Sequence, residues 1–244
     1  MLSDLGGVHL NIKELRARED LFQGTLEAAL SQVRDVGTVD VVVGVPFYNE
    51  KATLPEVLAT AARGLRPFLN VKPLFVCAGD PAGAEALAAV QGLELDVPHR
   101  EFLLPAGVNG RGFSIRAILE VARELAADVI LLEADLKERG GWGFKPAWLE
   151  RLLFPLLHDY DLVVTSFRRH YFEDPTGSFF VAPVLEALFG LRVSDPLSGV
   201  YGISRGLVED YCTNLDWWYG GIGDFGVDPW LLAQAVVWDK KICE

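Results

Sequence analysis

Four times along this chain an apolar run too short for a helix is followed by a helical pattern, and that recurrence restricts the fold more than any other feature. The runs are DVVVGVP (40–46), KPLFVCAG (72–79), DVILLEAD (128–135) and YDLVVTSF (160–167), with a shorter strand expected at 99–103. Their apolar residues are continuous and do not alternate with polar ones, so each strand must bury both faces. That is the pattern of a mostly parallel sheet with helices on both sides. The first run ends on Pro46, which cannot donate to a ladder, and turns polar at once in FYNE.

The intervening segments carry helix signals. Residues 10–35 place Leu15, Leu21, Phe22, Leu26, Leu30 and Val33 near helical spacing and form a lead-in. A helix is expected from Thr53, with its hydroxyl as cap and Glu56 at capping-box spacing, to about Gly64. DPAGAEALAAVQG reads as a helix with Asp80 as N-cap and Pro81 at its first position. Helices follow at about 113–126, in WLERLLFPLLHDY (148–160), which reads as core-facing, and in FFVAPVLEALFG. With no linker, repeat or low-complexity tract, residues 1–244 read as one α/β domain whose first 38 residues are the helical lead-in.

Charge and cysteine usage exclude several classes. Against 34 acidic side chains stand 22 basic ones, a net charge of -12, and no Lys/Arg run exceeds two, so a nucleic-acid partner is not expected. Cys77, Cys212 and Cys243 are odd in number and lack metal-ligand spacing, which fits a reducing compartment and a cytoplasmic protein. No run approaches the roughly 18 apolar residues of a membrane span, and the N-terminus shows no signal pattern.

Ligands of open α/β sheets bind outside the carboxyl ends of the strands, so function is sought just after each run. Glu133 and Asp135, at i and i+2 after an apolar strand, offer oxygens to a hard divalent cation. The bland alternative is one capping and one solvated carboxylate. GVNGRGFSIRAILEVA (107–122) sets three glycines and Arg111 before a helix, where backbone N–H groups and the helix end favour an anion. An anion cradle beside carboxylates suits a nucleoside diphosphate bridged by a divalent cation, since bare carboxylates would repel it.

From about 39 to 235 the chain resembles the nucleotide-sugar-dependent glycosyltransferases of the GT-A fold. Within them it is most similar to the retaining synthases that make glucosylglycerate, mannosylglycerate or their phosphorylated forms. The resemblance rests on VGVPFYNE, NGRGFSIRAIL, LLEADL, RRHYFEDPTGSFFVAPVLEALFG, DPLSGVYGISR and GDFGVDPWLL, in that order. It implies a GT-A, Rossmann-like α/β sheet. Pro46, Phe47, Tyr48 and Glu50 would line a base and ribose pocket with Gly79 and Asp80 nearby. Gly110, Arg111 and Gly112 would face ribose or diphosphate, and Asp135 would bind Mg2+ or Mn2+ beside Glu133 and Ala134. Ser198 and Gly199 would offer N–H groups near the reacting sugar. Arg169, His170, Thr176, Gly177 and Ser178 would meet an acceptor carboxylate or phosphate. Asp228 matches the family's acidic residue near the sugar and, with Arg111, is the catalytic candidate.

The chemistry asks for a stabilised diphosphate leaving group, which a metal and Arg111 supply. In the retaining variants the resemblance implies attack from the leaving-group side. A double displacement would need a nucleophile, for which Asp228 is the candidate. The chain departs from the family at Glu133, where Asp is common, and at Arg111, where Lys is common. Family members also supply a late histidine as a metal ligand, whereas the last histidine here is His170. The expectation is therefore a segment continuing beyond 244, with a short protein that has lost the ligand as the alternative.

The function expected is metal-dependent, retaining transfer of a hexose from a UDP- or GDP-sugar to a small acidic, glycerate-like acceptor, with a homodimer as one assembly open to it. Alternatives are a non-catalytic nucleotide-sugar-binding module, an inverting family-2-type glycosyltransferase and a nucleotidyltransferase. The last needs a Gly-rich basic loop directly after the first strand, which PFYNEKAT does not provide. Trp217, Trp218 and Trp230 read either as a sugar-stacking wall or as core, and His170 either as an acceptor ligand or as a surface residue.

Overall fold

A computed structural model of the chain describes residues 12–139, 142–168, 170, 172–214 and 220–244. The lead-in is α1 (Ile12–Val33), closed by a 3-10 turn, Arg34–Val36. Then come β1 (Val41–Phe47), α2 (Leu54–Leu65), β2 (Pro73–Gly79), α3 (Ala84–Gln91), β3 (His99–Leu103), α4 (Arg111–Glu124) and β4 (Asp128–Leu131). A two-stranded ribbon, β5 (Glu138–Arg139) with β6 (Trp142–Gly143), leads to α5 (Ala147–Leu156) and β7 (Leu162–Val164). A π-helical turn, Gly177–Val181, runs into α6 (Ala182–Phe189). The chain continues through β8 (Tyr201–Ile203), α7 (Arg205–Thr213), α8 (Val227–Val237) and β9 (Ile242–Cys243).

Seven strands form one sheet in the order β3-β2-β1-β4-β8-β7-β9. β1 runs parallel to β2 and β4, β2 to β3, and β7 to β9, while β8 is antiparallel to both β4 and β7. The sheet is thus mostly parallel, as the continuous apolar runs require. β8 was not anticipated, because VYGIS carries too little periodicity to announce a strand, still less its direction.

Residues along β1 point alternately to the two sides and bury into both layers. Val42 joins Leu74, Val76, Phe113, Ile118 and Leu207 beneath α1, α4, α7 and α8. Val41, Val43 and Val45 join Phe75, Leu54, Leu58, Ala86, Leu149 and Leu153 beneath α2, α3 and α5. Gly44 lies where a Cβ would overlap the Ile118 side chain, so its missing side chain is what lets α4 close on β1. α5 is the core-facing helix expected, with Leu149, Leu152, Leu153 and Leu156 buried. Trp230 is core, its ring 5.3 Å from that of Tyr211, while Trp217 and Trp218 lie outside the described residues.

Several local expectations are corrected. The Thr53 hydroxyl makes no cap bond to α2. α3 begins at Ala84, because Asp80 turns its carboxylate to Ala82 N–H and to a distant loop. β4 ends at Leu131, so Glu133 and Asp135 stand beyond the ladder and not on one strand face. All three cysteines are free, and burial raises the Cys77 and Cys212 thiols above their ordinary range. Among the described residues no helix is long and apolar enough to cross a membrane.

β1 is flanked by β2 on one side and by β4 on the other, so the winding reverses between β1 and β4. The crevice outside their carboxyl ends is where an open sheet leaves room for a ligand.

Candidate functional site

A cavity of about 460 Å3 occupies that crevice. Its wall draws on Pro46, Phe47, Tyr48 and Glu50 after β1, Asp80 after β2, Asn109, Gly110, Arg111 and Ser114 at the start of α4, Glu133 to Asp135 after β4, and Asp224 and Phe225 before α8.

The lip after β1 is a tight turn closed by its own carboxylate: Glu50 Oε2 accepts from the Tyr48 N–H at 2.7 Å. Tyr48 is half exposed there. Phe47 folds over Gly79, where a Cβ would overlap its ring, so Gly79 lies beneath the wall and does not face the cavity. Asp80 Oδ2 reaches the Gly110 N–H at 3.3 Å and joins the lip to the glycine loop.

That loop differs from the open anion cradle expected. Gly112 N–H donates to Asp224 O at 3.0 Å and Phe113 N–H to Gly223 O at 3.1 Å, so the backbone of residues 223–224 occupies the first turn of α4. Gly112 is glycine because a Cβ would collide with the Ile222 carbonyl. It therefore packs against the chain and does not face a ribose or diphosphate.

Arg111 also finds partners within the protein. Its Nη1 donates to both Asp228 oxygens, at 3.1 and 2.9 Å, and its Nη2 donates to Glu133 Oε1. The side chains of Arg111 and Asp228 are 13% and 10% exposed, and Glu133 is 28% exposed. Burial works against the guanidinium charge, but Asp228 and Glu133 outweigh it and hold Arg111 above its ordinary pKa. Burial pushes Glu133 up to about 7 although Arg111 pulls it down, and Asp228 and Asp135 push the same way as burial. The free diphosphate clamp expected of Arg111 is corrected to an ion-paired residue at the cavity wall. Asp228, expected near the sugar, lies behind Arg111 and is not among the residues lining the cavity.

Ser198 and Gly199 stand behind Glu133. Gly199, at φ +71°, packs so closely that a Cβ would overlap the Glu133 carboxylate. Ser198 N–H is spent on Asp195 O at 3.2 Å, so it is not an available donor. In the expected acceptor segment Asp174 caps the helix start, accepting from Gly177 N–H at 2.9 Å through Oδ1 and from Ser178 N–H at 3.2 Å through its carbonyl. Thr176 and His170 are exposed, and neither they nor Gly177 and Ser178 line the cavity. Arg169 lies outside the described residues.

Ser114, Asn109, Asp224 and Phe225 line the cavity without having been anticipated. Asn109 and Ser114 stand within the glycine motif, so proximity in sequence was the available signal. Nothing in GDFG announced that it folds over the start of α4.

The metal expected can be tested on the donor set. Among the described residues no group of three or more His, Cys, Asp or Glu is arranged to hold an ion. Glu133 is engaged by Arg111, and Asp135 stands exposed at the cavity rim. A cation bound here would take one or two carboxylates from the protein and the rest from phosphate and water. That is how Mg2+ is ordinarily held with nucleotides. The residues fit a metal shared with a ligand and not an all-protein cage.

No family model matches the chain, and no curated protein matches its sequence. Solved structures do. The chain is 22% identical to M. tuberculosis glucosyl-3-phosphoglycerate synthase, covering 87% of itself and 69% of that chain with a TM-score of 0.52. For that synthase in complex with Mg2+ and uridine diphosphate the identity is 22%, the coverage 90% and 71%, and the TM-score 0.56. For the complex with Mn2+, uridine-diphosphate-glucose and phosphoglyceric acid it is 22%, 90% and 71%, with a TM-score of 0.55. This likeness establishes the fold: the chain has the GT-A, Rossmann-like α/β architecture.

Proposed function

We propose that this chain is a metal-dependent, retaining hexosyltransferase that uses a UDP- or GDP-sugar and a small acidic acceptor. The observation that carries the proposal is the cavity at the β1/β4 reversal, walled by aromatic residues at its lip and by five carboxylates against one guanidinium. Such a wall repels a bare diphosphate and accepts one carrying a divalent cation. The synthase with the same architecture was solved with Mn2+, UDP-glucose and phosphoglyceric acid, which supports the donor, metal and acceptor classes together.

Phe47 and Tyr48 would hold the base against the lip, with Glu50 and Asp80 accepting from base or ribose donors. Gly110 N–H, now 3.3 Å from Asp80, would turn to a ligand oxygen. Mg2+ or Mn2+, held by Asp135 with Glu133 beside it, would supply neutralisation of the diphosphate. Arg111, kept charged by Asp228 and Glu133, adds a fixed positive charge at the same wall, where charge developing on the leaving group is stabilised. Asp228 acts through Arg111 and not as a nucleophile, which favours attack from the leaving-group side over a double displacement. An acidic acceptor would replace the Asp174 carboxylate at the Gly177 N–H. The buried free thiols are in keeping with action in the cytoplasm.

A second reading, a nucleotide-sugar-binding module without activity, is favoured by the ion-paired state of Arg111 and by the absence of a three-ligand metal group among the described residues. Titration with UDP and GDP, with and without Mn2+, followed by transfer assays to glycerate and 3-phosphoglycerate, separates the two. Metal-dependent binding with transfer supports the enzyme, and binding without transfer supports the module. If no nucleotide raises the melting temperature with any metal, both fail.

A further inference from the structure

α1 packs over the first turns of α4 in a register that Arg18, Glu19 and Phe22 define. Glu19 takes both Nη atoms of the fully buried Arg116, at 2.6 and 2.7 Å. The Arg116 guanidinium lies 4.3 Å from the Phe22 ring centroid, and that ring lies 5.9 Å from Phe113. The neighbouring Arg18 is 4.3 Å from the Phe113 centroid, and its Nη2 donates to the carbonyl of Asn109 at 3.0 Å. A buried arginine with a bidentate carboxylate cannot slide by a turn without losing its partner, so Arg18 is delivered to that one carbonyl.

The carbonyl belongs to the peptide whose N–H is that of Gly110. The unit is planar and trans, so its oxygen and its hydrogen point to opposite sides. Arg18 grips the oxygen on the α1 side, and the N–H then faces the cavity, where Asp80 Oδ2 accepts it at 3.3 Å. Gly110 has φ +120°, and a glycine admits the flipped peptide at little steric cost. The flip would turn an oxygen toward the cavity carboxylates and withdraw the donor.

From this geometry we infer that Arg18 is a positioning residue of the cavity. It selects the orientation of the Asn109–Gly110 peptide and so presents the Gly110 N–H to an anionic ligand oxygen. The inference rests on the nucleotide reading of the cavity for its ligand, and on the Arg18–Asn109 bond for its geometry.

Arg18→Met leaves an apolar side chain beside Phe113 and removes the guanidinium that lies over its ring, together with the donors. UDP titrated calorimetrically in Mg2+ should bind about three- to tenfold more weakly, the loss of one hydrogen bond, while the nucleotide-free melting temperature stays close to wild type. Arg18→Lys should restore most of the affinity. In 15N–1H spectra the Gly110 amide should move in Arg18→Met and return in Arg18→Lys, a response that loss of packing alone would not give. Should Arg18→Met fail to fold, Arg18→Gln, with a shorter polar side chain, is read by the same two measurements. Unchanged affinity with an unmoved Gly110 resonance overturns the inference. A wild-type protein that binds no nucleoside diphosphate overturns the reading of the cavity instead, and the Gly110 resonance still decides whether Arg18 sets the peptide.

Discussion

Replacing Arg111 with methionine removes the one cation among the described residues that line the cavity. Glu133 and Asp228, both largely buried and both bonded to its guanidinium, are then left facing each other. Breaking a buried ion pair from one side costs about 3–5 kcal/mol, which for a chain of this size lowers the melting temperature by roughly 6–20 °C. The cost should depend on pH. Glu133 already titrates at about 7 because burial raises it, with Arg111 pulling the other way. Without Arg111 its pKa rises by a further 1–3 or so. A carboxyl whose folded pKa is raised loses stability as pH climbs from its unfolded value through its folded one, and in the variant that loss extends further. The gap between variant and wild type should therefore be smallest near about pH 5. It should widen toward about pH 9, by about 1.4 kcal/mol for each unit that the Glu133 pKa moves. Urea unfolding followed by tryptophan fluorescence at several pH values measures it. A deficit of equal size at both ends would mean that lost packing and not charge sets the cost, and no deficit at all would refute the buried triad.

Three other outcomes follow from the same geometry. Removing divalent metal with a chelator should weaken UDP binding at least about tenfold by calorimetry, because five carboxylates then face the diphosphate; metal-independent affinity would contradict this. Glu50→Ala should open the turn that its carboxylate closes on Tyr48 N–H and weaken nucleotide binding, with a melting temperature near wild type since the residue lies at the rim. Gly199→Ala combines φ +71° with a Cβ that overlaps the Glu133 carboxylate. A loss of about 2–4 kcal/mol in urea unfolding is expected, and a loss below about 1 kcal/mol would show that Glu133 relaxes freely.

Much of the fold could be read locally. DVVVGVP and DVILLEAD are apolar on both faces, and a strand of that kind is stable only between two layers, so a covered parallel sheet followed from the residues themselves. The lip after β1 was legible only in part: Pro46 does not end the strand, which pairs on through Phe47 to Gly79, and the residues that reach solvent begin at Tyr48. The short β8 was not, and neither was its reversed direction, since three residues carry no period and orientation depends on which strand already stands beside the gap.

The site divides along the same line. Motif spacing brought Glu50, Asp80, Gly110, Arg111, Glu133 and Asp135 to one crevice. It did not show that Arg111 is paired with carboxylates 22 and 117 positions away, or that the backbone at Gly223 and Asp224 fills the first turn of α4. Nor did it show that the Asp80 carboxylate, while accepting from Ala82 N–H, also reaches Gly110. Sequence by itself determined which elements form and which residues lie at their ends, because propensity and period act over a few residues. Which charges neutralise one another, and which donors remain for a ligand, only the tertiary structure decided. Those pairings join segments that meet only after the sheet has brought its carboxyl ends together.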